Sequence, residues 1–302
     1  MRRLFLIGFM AALIGSLPVS AQLYLRTDYI TSSSFRDETN QKVGGSGDVK
    51  LIQGSFNIPV YLKMDKNNHP KIWGIGGGIS YMNMNNKQLA SHIDLSCIFN
   101  AQIALTHLRP ISEKWSLLAS LGIGMYTDAS KFSKYSFNDL LGQGAVVMIW
   151  HLAKNLDLGM GLALNTTFGY PMAFPALYLN WDLEGHFLVN VSMMDGMEIS
   201  AGIRFNNWFQ LKLVGEMNGT LALVKRNGKK QMFTQQYVTT GLRPEFKINK
   251  SLSIPITIGL SPYRAAFYDD RNLKAFFRNM NRDYDPHFSL AFYLGVAIKY
   301  GF

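Results

Sequence analysis

Two short stretches of the sequence hold residues that could act together as a nucleophile and a base. "HFS" places His287 and Ser289 two apart, which puts them on one face of an extended chain. "SHID" offers Ser91, His92 and Asp94, but adjacent side chains point to opposite faces of a strand. For His287 and Ser289, no third group that would orient the base is identifiable from the sequence. The sequence therefore favours ordinary polar residues over a hydrolase site.

Metal and nucleotide chemistry have even less support. The six histidines lie far apart without ligand spacing, and Cys97 is the single cysteine. "GIGGG", which begins at Gly74, lies in a predicted strand and has no helix after it to hold a phosphate. We expect no catalytic residue, no metal site and no cofactor.

The C-terminal stretch "HFSLAFYLGVAIKYGF" shows which elements must position the polar residues. Every second residue from the end is large and apolar, whereas the alternate residues are small or polar. A strand built this way has one wholly apolar face. The apolar row consists of Phe288, Leu290, Phe292, Leu294, Val296, Ile298, Tyr300 and Phe302.

The N-terminus predicts export. Arg2 and Arg3 precede the short apolar run 4–14, and Pro18 and small residues lead to Ala21, which is the layout of a secretory signal peptide with cleavage after Ala21. The chain is 48% hydrophobic and 17% charged, and no later apolar run has the length of a spanning helix. Apolar alternation in an exported chain predicts a β-barrel in the cell outer membrane, with a large soluble β-sandwich as the alternative.

The alternation and the turn residues predict an all-β fold: a transmembrane, antiparallel, up-and-down β-barrel of about 14 strands, with 12 or 16 also compatible. Residues 1–21 form the signal peptide and residues 22–302 form one domain. Longer connections are expected at 31–47, 128–136, 225–230 and 264–286. The predicted strands are 22–30, 48–62, 71–83, 91–106, 114–127, 138–152, 155–166, 174–182, 186–192, 196–206, 208–223, 231–247, 251–263 and 287–302.

Three stretches carry a resemblance to known barrels. The final strand ends in Phe302, which resembles the signal by which outer-membrane barrels are recognised, and this implies the barrel assembly machinery as a partner. "FPALYLNWDLEGHFLVNV" and "GIRFNNWFQLKL" resemble an uncharacterised family of outer-membrane β-barrels from Bacteroidota. The resemblance covers nearly all of the mature chain. It implies a fold and a location, and it implies no activity.

The face opposite the apolar rows predicts a wet lumen. This face carries charges of both signs beside many glycines, which favours a water-filled channel over a hydrophobic duct or a packed plug. We expect a passive channel for small polar solutes; a barrel that transports hydrophobic compounds, a non-conducting structural barrel and an outer-membrane lipid hydrolase remain alternatives. The predicted lumen charges are Arg26, Asp28, Asp94, Asp157, Asp182, Glu198, Arg204, Lys212, Glu216, Arg243, Glu245, Lys247 and Lys299.

Two of the predicted connections, 225–230 and 264–286, are candidates for a function separate from that of the lumen. "VKRNGKKQ" places Lys225, Arg226, Lys229 and Lys230 around an Asn-Gly turn, so that four cations could meet lipopolysaccharide phosphates outside the cell, although a solvated basic tip needs no partner. No nucleic-acid partner is expected. In the stretch from 264 to 286 we predict a short amphipathic helix that covers the pore mouth or lies on the membrane. Its apolar residues are Leu273, Phe276, Phe277 and Met280, opposite Arg271, Lys274 and Arg278.

Overall fold

Fifteen strand segments form one sheet in the computed structural model, which describes residues 21–65, 70–89, 91–128, 136–167, 170–193, 196–226, 228–280 and 283–301. Residues 1–20, which belong to the predicted signal peptide, and Phe302 lie outside these ranges. The segments are β1 (Gln22–Arg36), β2 (Lys42–Met64), β3 (Pro70–Lys87), β4 (Cys97–Ser112), β5 (Trp115–Thr127), β6 (Leu140–Ala153), β7 (Leu156–Asn165), β8 (Met172–Leu183), β9 (Phe187–Met193), β10 (Met197–Arg204), β11 (Phe209–Arg226), β12 (Lys229–Lys247), β13 (Leu252–Asp270), β14 (His287–Phe288) and β15 (Ala291–Tyr300).

The sheet closes on itself. Each strand pairs antiparallel with its sequence neighbours, and β15 pairs with both β13 and β1. β14 and β15 are two pieces of one strand, so the ring has 14 strands. Closure leaves the ring without free edges at its base, as a sheet that spans lipid requires. The predicted up-and-down β-barrel is confirmed.

The alternating residues separate as predicted into an outer apolar face and an inner face. On β7, Met160 and Leu162 are 71% and 60% exposed, while Gly161 and Ala163 lie on the inner face. All five tryptophans lie near the end of the barrel that holds the turns from β4 to β5, β6 to β7 and β12 to β13, which we call the tight-turn end. Trp115 stacks on Trp150 there, with ring centroids 5.7 Å apart. Such a ring of aromatic side chains marks a membrane interface.

At the other end the structure differs from the predicted loops. Much of 31–47 and of 264–286 continues the strands, and 225–230 is a tight turn. Above the lipid the outward residues need not be apolar, as Thr234 and Gln236 illustrate, so the alternation fades before the strand ends. The strand predicted at 91–106 instead begins at Cys97.

The apolar row of the last strand is also broken. Ser289 and Leu290 separate β14 from β15, and the two segments differ in phase. Phe288 therefore points inward, where it is buried against Phe35, whereas Phe292 faces outward. The prediction that Phe288 faces lipid was wrong, because a local break in a strand shifts the alternation by one residue.

The barrel has two unequal sides. The tall half comprises β1–β5 and β11–β15, in which the eight continuous strands have 13 to 23 residues. The short half comprises β6–β10, with 7 to 14 residues. Above the short half, β11 meets β5 across the ring in a parallel bridge between Leu223 and Thr127. The tall half thus folds over toward itself at its upper end.

The connection between β13 and β14 contains the helix α1 (Leu273–Met280), which the amphipathic pattern predicted. No helix in the described part of the chain has the length and hydropathy needed to cross a membrane.

Candidate functional site

The inner face of the tall half holds a buried ionic network centred on Glu216. One carboxylate oxygen of Glu216 lies 2.6 Å from Nη2 of Arg26, and the other lies 2.5 Å from Nη2 of Arg243. These side chains come from β1, β11 and β12 and are at most 7% exposed. A carboxylate held between two guanidinium groups is compensated for its lost hydration.

Further partners extend this network in both directions. Asp28 accepts bonds from Arg26 Nε at 2.8 Å and from the Tyr293 hydroxyl at 2.5 Å. Arg243 donates to Glu198 at 3.1 Å and to Thr257 Oγ1 at 2.8 Å. The network therefore joins β10, β11, β12 and β13 to β1 and β15 across the inner face.

Nearer the tight-turn end the charges are less buried and paired in smaller groups. Lys212 Nζ lies 3.4 Å from Glu245, which also accepts a bond from Gln210 at 2.7 Å. Arg204 Nη2 lies 3.6 Å from Glu184.

At the same end of the short half, His151 Nδ1 lies 2.7 Å from Asp157. The other ring nitrogen of His151, Nε2, lies 2.8 Å from Ser116 Oγ. The remaining predicted lumen charges lie on inner-face registers of their strands: Asp182 opposite Asn190, Lys247 opposite Ser253, and Lys299 near the ring of Tyr24.

Asp94 is placed differently from the prediction, because residues 91–96 are not a strand. Asp94 lies at the upper mouth, where it accepts a hydrogen bond from the Tyr268 hydroxyl and lies 3.6 Å from Arg226. The Arg226 guanidinium also stacks over the Tyr268 ring at 4.4 Å. Arg226 and Tyr268 contribute to the walls of two mouth cavities, of about 440 and 180 Å³.

Above the ionic network, the tall half is filled by apolar side chains. They point inward from both sides of the seam at β1 and β15 and form one contiguous cluster. Because packed interiors leave few voids larger than a water molecule, this cluster forms an apolar plug at the upper end of the tall half. The plug includes Ile30, Phe35, Val49, Leu51, Met82, Ile98, Ala222, Phe233 and Phe288.

The short half presents a different inner wall. Along β7 the inner-face residues above Asp157 are small or neutral and polar, so this strand leaves space in the lumen. The inner rows of β6, β8 and β9 combine small residues with larger ones, of which Val147, Ile149 and Leu188 are buried. The small and neutral polar residues of the short half include Gln143, Ala145, Gly161, Ala163, Ala176, Asn190, Ser192 and Ser200.

The predicted mouth loop reaches across the barrel. Arg271, which precedes α1, donates from Nε to the carbonyl of Thr167 at 2.6 Å and from Nη2 to that of Thr166 at 3.3 Å. Burial lowers the pKa of Arg271, while the carboxylate of Asp139 opposes that shift. Arg271 therefore ties the end of β13 to the connection that follows β7.

The rest of α1 is only partly packed. Leu273 and Phe277 are exposed, as are Lys274 and Arg278, and Arg278 lies 3.9 Å from Asp269. The predicted apolar stripe is thus not fully buried; the side chains of Phe276 and Met280 lie outside the described part.

The two candidate nucleophile and base pairs have separate surroundings. His287 packs against Tyr263 and lies 2.8 Å from the carbonyl of Asp285, whereas Ser289 contacts Ser34 and Arg36. Ser91 and His92 do touch, at 3.0 Å, because they lie in a turn rather than a strand. Among the described residues, no group of three or more His, Cys, Asp and Glu could hold a metal ion.

Sequence reasoning missed several buried polar residues. Arg264 lies in a predicted loop, but its guanidinium is buried over the Phe288 ring at 3.7 Å and donates to the Gly47 carbonyl at 2.6 Å. A bulge between Val238 and Thr240 changes the register of β13 against β12. Unbroken alternation would place Arg264 on the outer face with Ile258 and Leu260, and only this change of register turns Arg264 inward, so the sequence pattern held no signal for its position.

Comparison with known proteins places the chain in a family: it belongs to the family described as domain of unknown function DUF6268, whose model matches residues 17–301. The predicted membership of an uncharacterised family is confirmed, and an origin in Bacteroidota stays a prediction. A search of curated proteins gave no significant match.

Solved structures similar to the chain include outer-membrane proteins. One is the COG4313 outer membrane channel from Pseudomonas putida F1, at 8% identity and a TM-score of 0.44, covering 94% of this chain and 96% of that one. Another is the toluene transporter TodX from Pseudomonas putida, at 11% identity and a TM-score of 0.34, covering 96% and 93%. A third is the KdgM porin, at 6% identity and a TM-score of 0.31, covering 92% and 99%.

Proposed function

We propose that this protein is a passive outer-membrane channel for small polar solutes. The observation that carries the proposal is the inner face of β7, where Gly159, Gly161, Ala163 and Asn165 leave space beside the charged wall of the tall half. Solutes diffuse along this wall in contact with polar groups and water. No cofactor takes part in such a mechanism.

The charged wall gives this channel its stability and its selectivity. Glu216, Arg26 and Arg243 neutralise one another and hold the tall half together. The side chains of Lys212 and Glu198 keep 19% and 29% of their surface exposed and are available to interact with a passing solute. A duct for hydrophobic compounds would not need this many lumenal charges.

Planar-bilayer conductance tests the channel directly. Ala163→Trp adds a large side chain to the inner wall of β7 and should lower the single-channel conductance several-fold. Leu162→Trp places the same side chain on the lipid face of the same strand and should leave the conductance unchanged. A wild-type protein that inserts but does not conduct would favour the non-conducting structural barrel.

Export and orientation belong to the same proposal. The mature chain begins at Gln22 after cleavage following Ala21. The turns from β4 to β5, β6 to β7, β10 to β11 and β12 to β13 face the periplasm, whereas the turn from β11 to β12 faces the outside. In a Cys97→Ser background, a cysteine at Gly228 should react with an impermeant thiol reagent on intact cells, whereas one at Asn249 should not. Reaction at Asn249 alone would reverse the orientation, and an N-terminal sequence beginning at Met1 would contradict cleavage.

Two partners follow from this location. The basic turn at the outer end of β11 and β12 exposes Lys225 and Lys229, which could contact lipopolysaccharide phosphates. The terminal residue Phe302 would serve as the recognition signal for the barrel assembly machinery.

A further inference from the structure

Three polar side chains on the inner face near the tight-turn end form a hydrogen-bonded row, which we call the lumenal triad. Ser116 Oγ lies 2.8 Å from Nε2 of His151, and Nδ1 of His151 lies 2.7 Å from Oδ1 of Asp157. A serine, an imidazole and a carboxylate joined in this order activate the serine hydroxyl as a nucleophile on several unrelated folds. Ser116 and His151 are 35 residues apart, so spacing in the sequence gives no sign of this row.

Strand pairing brings the three side chains together. The neighbouring strands β5, β6 and β7 supply Ser116, His151 and Asp157 respectively. His151 lies directly opposite Asp157, and its backbone N–H donates to the carbonyl of Lys114 at 2.9 Å. Ser116, two residues after Lys114, is therefore a diagonal neighbour of His151 on the same face. The register shifts immediately after His151, and irregularities of this kind re-aim side chains.

The carboxylate sets the hydrogen-bonding roles within the triad. An ionised Asp157 only accepts, so Nδ1 of His151 donates to it and carries the proton of the neutral ring. Nε2 is then an acceptor and receives the hydrogen bond of the Ser116 hydroxyl. His151 is thereby held in the tautomer that can remove the proton of Ser116.

The triad borders the lumen rather than the lipid. The side chains of His151 and Asp157 are 27% and 26% exposed, and Ser116 is 3% exposed. Beyond Asp157 the inner face of β7 continues with Gly161 and Ala163, which leave space in the lumen. Because so little of Ser116 is exposed, only small groups reach its hydroxyl.

The backbone around Ser116 limits the chemistry further. Ser116 is paired on both sides, with Pro110 of β4 and with Ile149 of β6. The N–H groups of a strand paired on both sides bond within the sheet, so they do not form an oxyanion hole for the attack on an ordinary ester or amide. Esters with a weakly basic leaving group, such as aryl esters and thioesters, need less of this stabilisation.

We propose that the lumenal triad is a hydrolytic site for small activated esters. Ser116 Oγ attacks the carbonyl carbon while His151 Nε2 takes the hydroxyl proton, and His151 returns that proton to the departing alkoxide or thiolate. The acyl group is then bound to Ser116. Water attacks the acyl carbon, and His151 transfers a water proton to Ser116 Oγ as the acid departs. Asp157 is a positioning residue, because it acts through the His151 ring.

This activity goes beyond the proposed channel and does not require conduction. The nucleophile borders the lumen, so its substrates are dissolved in water. A lipid hydrolase would instead present its serine to the bilayer.

Labelling with diisopropyl fluorophosphate tests the nucleophile. The folded wild-type protein in detergent micelles is treated with this reagent, and mass spectrometry of its peptides locates the adduct. Ser116 Oγ should displace fluoride and carry the one adduct of the folded chain. The urea-unfolded chain, which lacks the triad, should react far more slowly. An unlabelled Ser116, or equal labelling of the folded and unfolded chains, would overturn the proposal.

Variants separate the base from the nucleophile. Ser116→Ala should abolish labelling, and His151→Gln should slow it roughly a hundredfold or more, the typical contribution of a positioned general base. Ser120→Ala is the matched control and should be labelled like the wild type. Ser120 lies on the same face of β5 opposite Ala145 and is more exposed than Ser116. An adduct lost in Ser120→Ala and kept in Ser116→Ala would show adventitious reactivity and would sink the site.

Hydrolysis of para-nitrophenyl acetate tests turnover and the role of Asp157. The wild type should release nitrophenolate faster than Ser116→Ala, which retains the imidazole. Asp157→Asn should lower kcat on the order of tenfold or more with little change in KM, because the ring loses its orientation. Its urea midpoint should stay close to that of the wild type. A row that only stabilises the barrel would give the opposite result, with an altered midpoint and an unchanged kcat, and labelling without turnover would also contradict hydrolysis.

The hydrolytic site and the channel fail in different ways. A protein that conducts but leaves Ser116 unlabelled keeps the channel and loses the hydrolytic site. A protein that is labelled at Ser116 and turns over the ester but does not conduct keeps the site and loses the channel.

Discussion

The tall and short halves of the barrel use the same alternation of residues for different ends. In the tall half the inner positions hold large or charged side chains that pair and pack across the lumen, as in the network around Glu216 and the plug around Phe233. In the short half the inner positions of β7 include Gly161 and Ala163, which are too small to extend across the lumen. The inner face of the tall half therefore stabilises the barrel, whereas the inner face of the short half leaves space in the lumen.

The largest effect is expected where the tall half depends on a buried charge. Glu216→Ala leaves Arg26 and Arg243 without their shared carboxylate, and loss of one member of a buried ion pair costs about 3 to 5 kcal/mol. Urea unfolding in lipid vesicles, followed by tryptophan fluorescence, measures the loss. A change as small as that of an exposed pair would mean that water reaches this network freely.

A second substitution contrasts the two faces of the short half. Leu162→Arg places a charge in the lipid and should cost about 2 to 4 kcal/mol near the midplane. Ala163→Arg places the same charge in the wet lumen and should cost less than half as much. Unfolding free energies of the two variants decide this, and equal costs would show that the inner wall of β7 is not hydrated.

The matching position in the tall half sharpens this contrast. Thr257 lies on an inner face, and the sequence pattern alone predicts that Thr257→Arg is milder for folding than Arg at the lipid-facing neighbour Ile256. In the structure Thr257 is buried, and its hydroxyl oxygen accepts a hydrogen bond from Arg243 Nε. We therefore expect Thr257→Arg to destabilise the barrel more than Ala163→Arg does.

At the mouth the expected effect is local, with little change in the free energy of global unfolding. Arg271→Ala removes two hydrogen bonds from a guanidinium to backbone carbonyls, each worth about 1.5 to 3 kcal/mol when charge-assisted. Hydrogen exchange of residues 271–280 should become faster while global unfolding changes little. Unchanged exchange would show that the connection is held by its other contacts.

The smallest effect is expected at the tight-turn end of the short half. Asp157→Asn breaks the contact with His151, but both side chains are about a quarter exposed, so the pair contributes less than about 1 kcal/mol. The same urea titration provides the measurement. A loss comparable to that of Glu216→Ala would remove the distinction between a stabilising and a space-giving half.

The alternating sequence predicted the membrane-spanning parts of the fold well. Each of the 14 predicted strands corresponds to one strand of the ring, and Leu158, Met160 and Leu162 face outward as expected. The strand ends were less predictable. Apolar and polar residues alternate only where a strand contacts lipid. The strand predicted from this pattern therefore ended at Tyr263, although β13 continues to Asp270.

The sequence by itself determined the strands, their lipid faces and the polarity of the inner row, because these follow from the period of two along each strand. Tertiary structure alone decided which inner charges meet. Arg26 and Glu216 are 190 residues apart, and only ring closure brings them together. It also decided that Phe288 points inward, because a phase break within a strand depends on its pairing with the neighbouring strands.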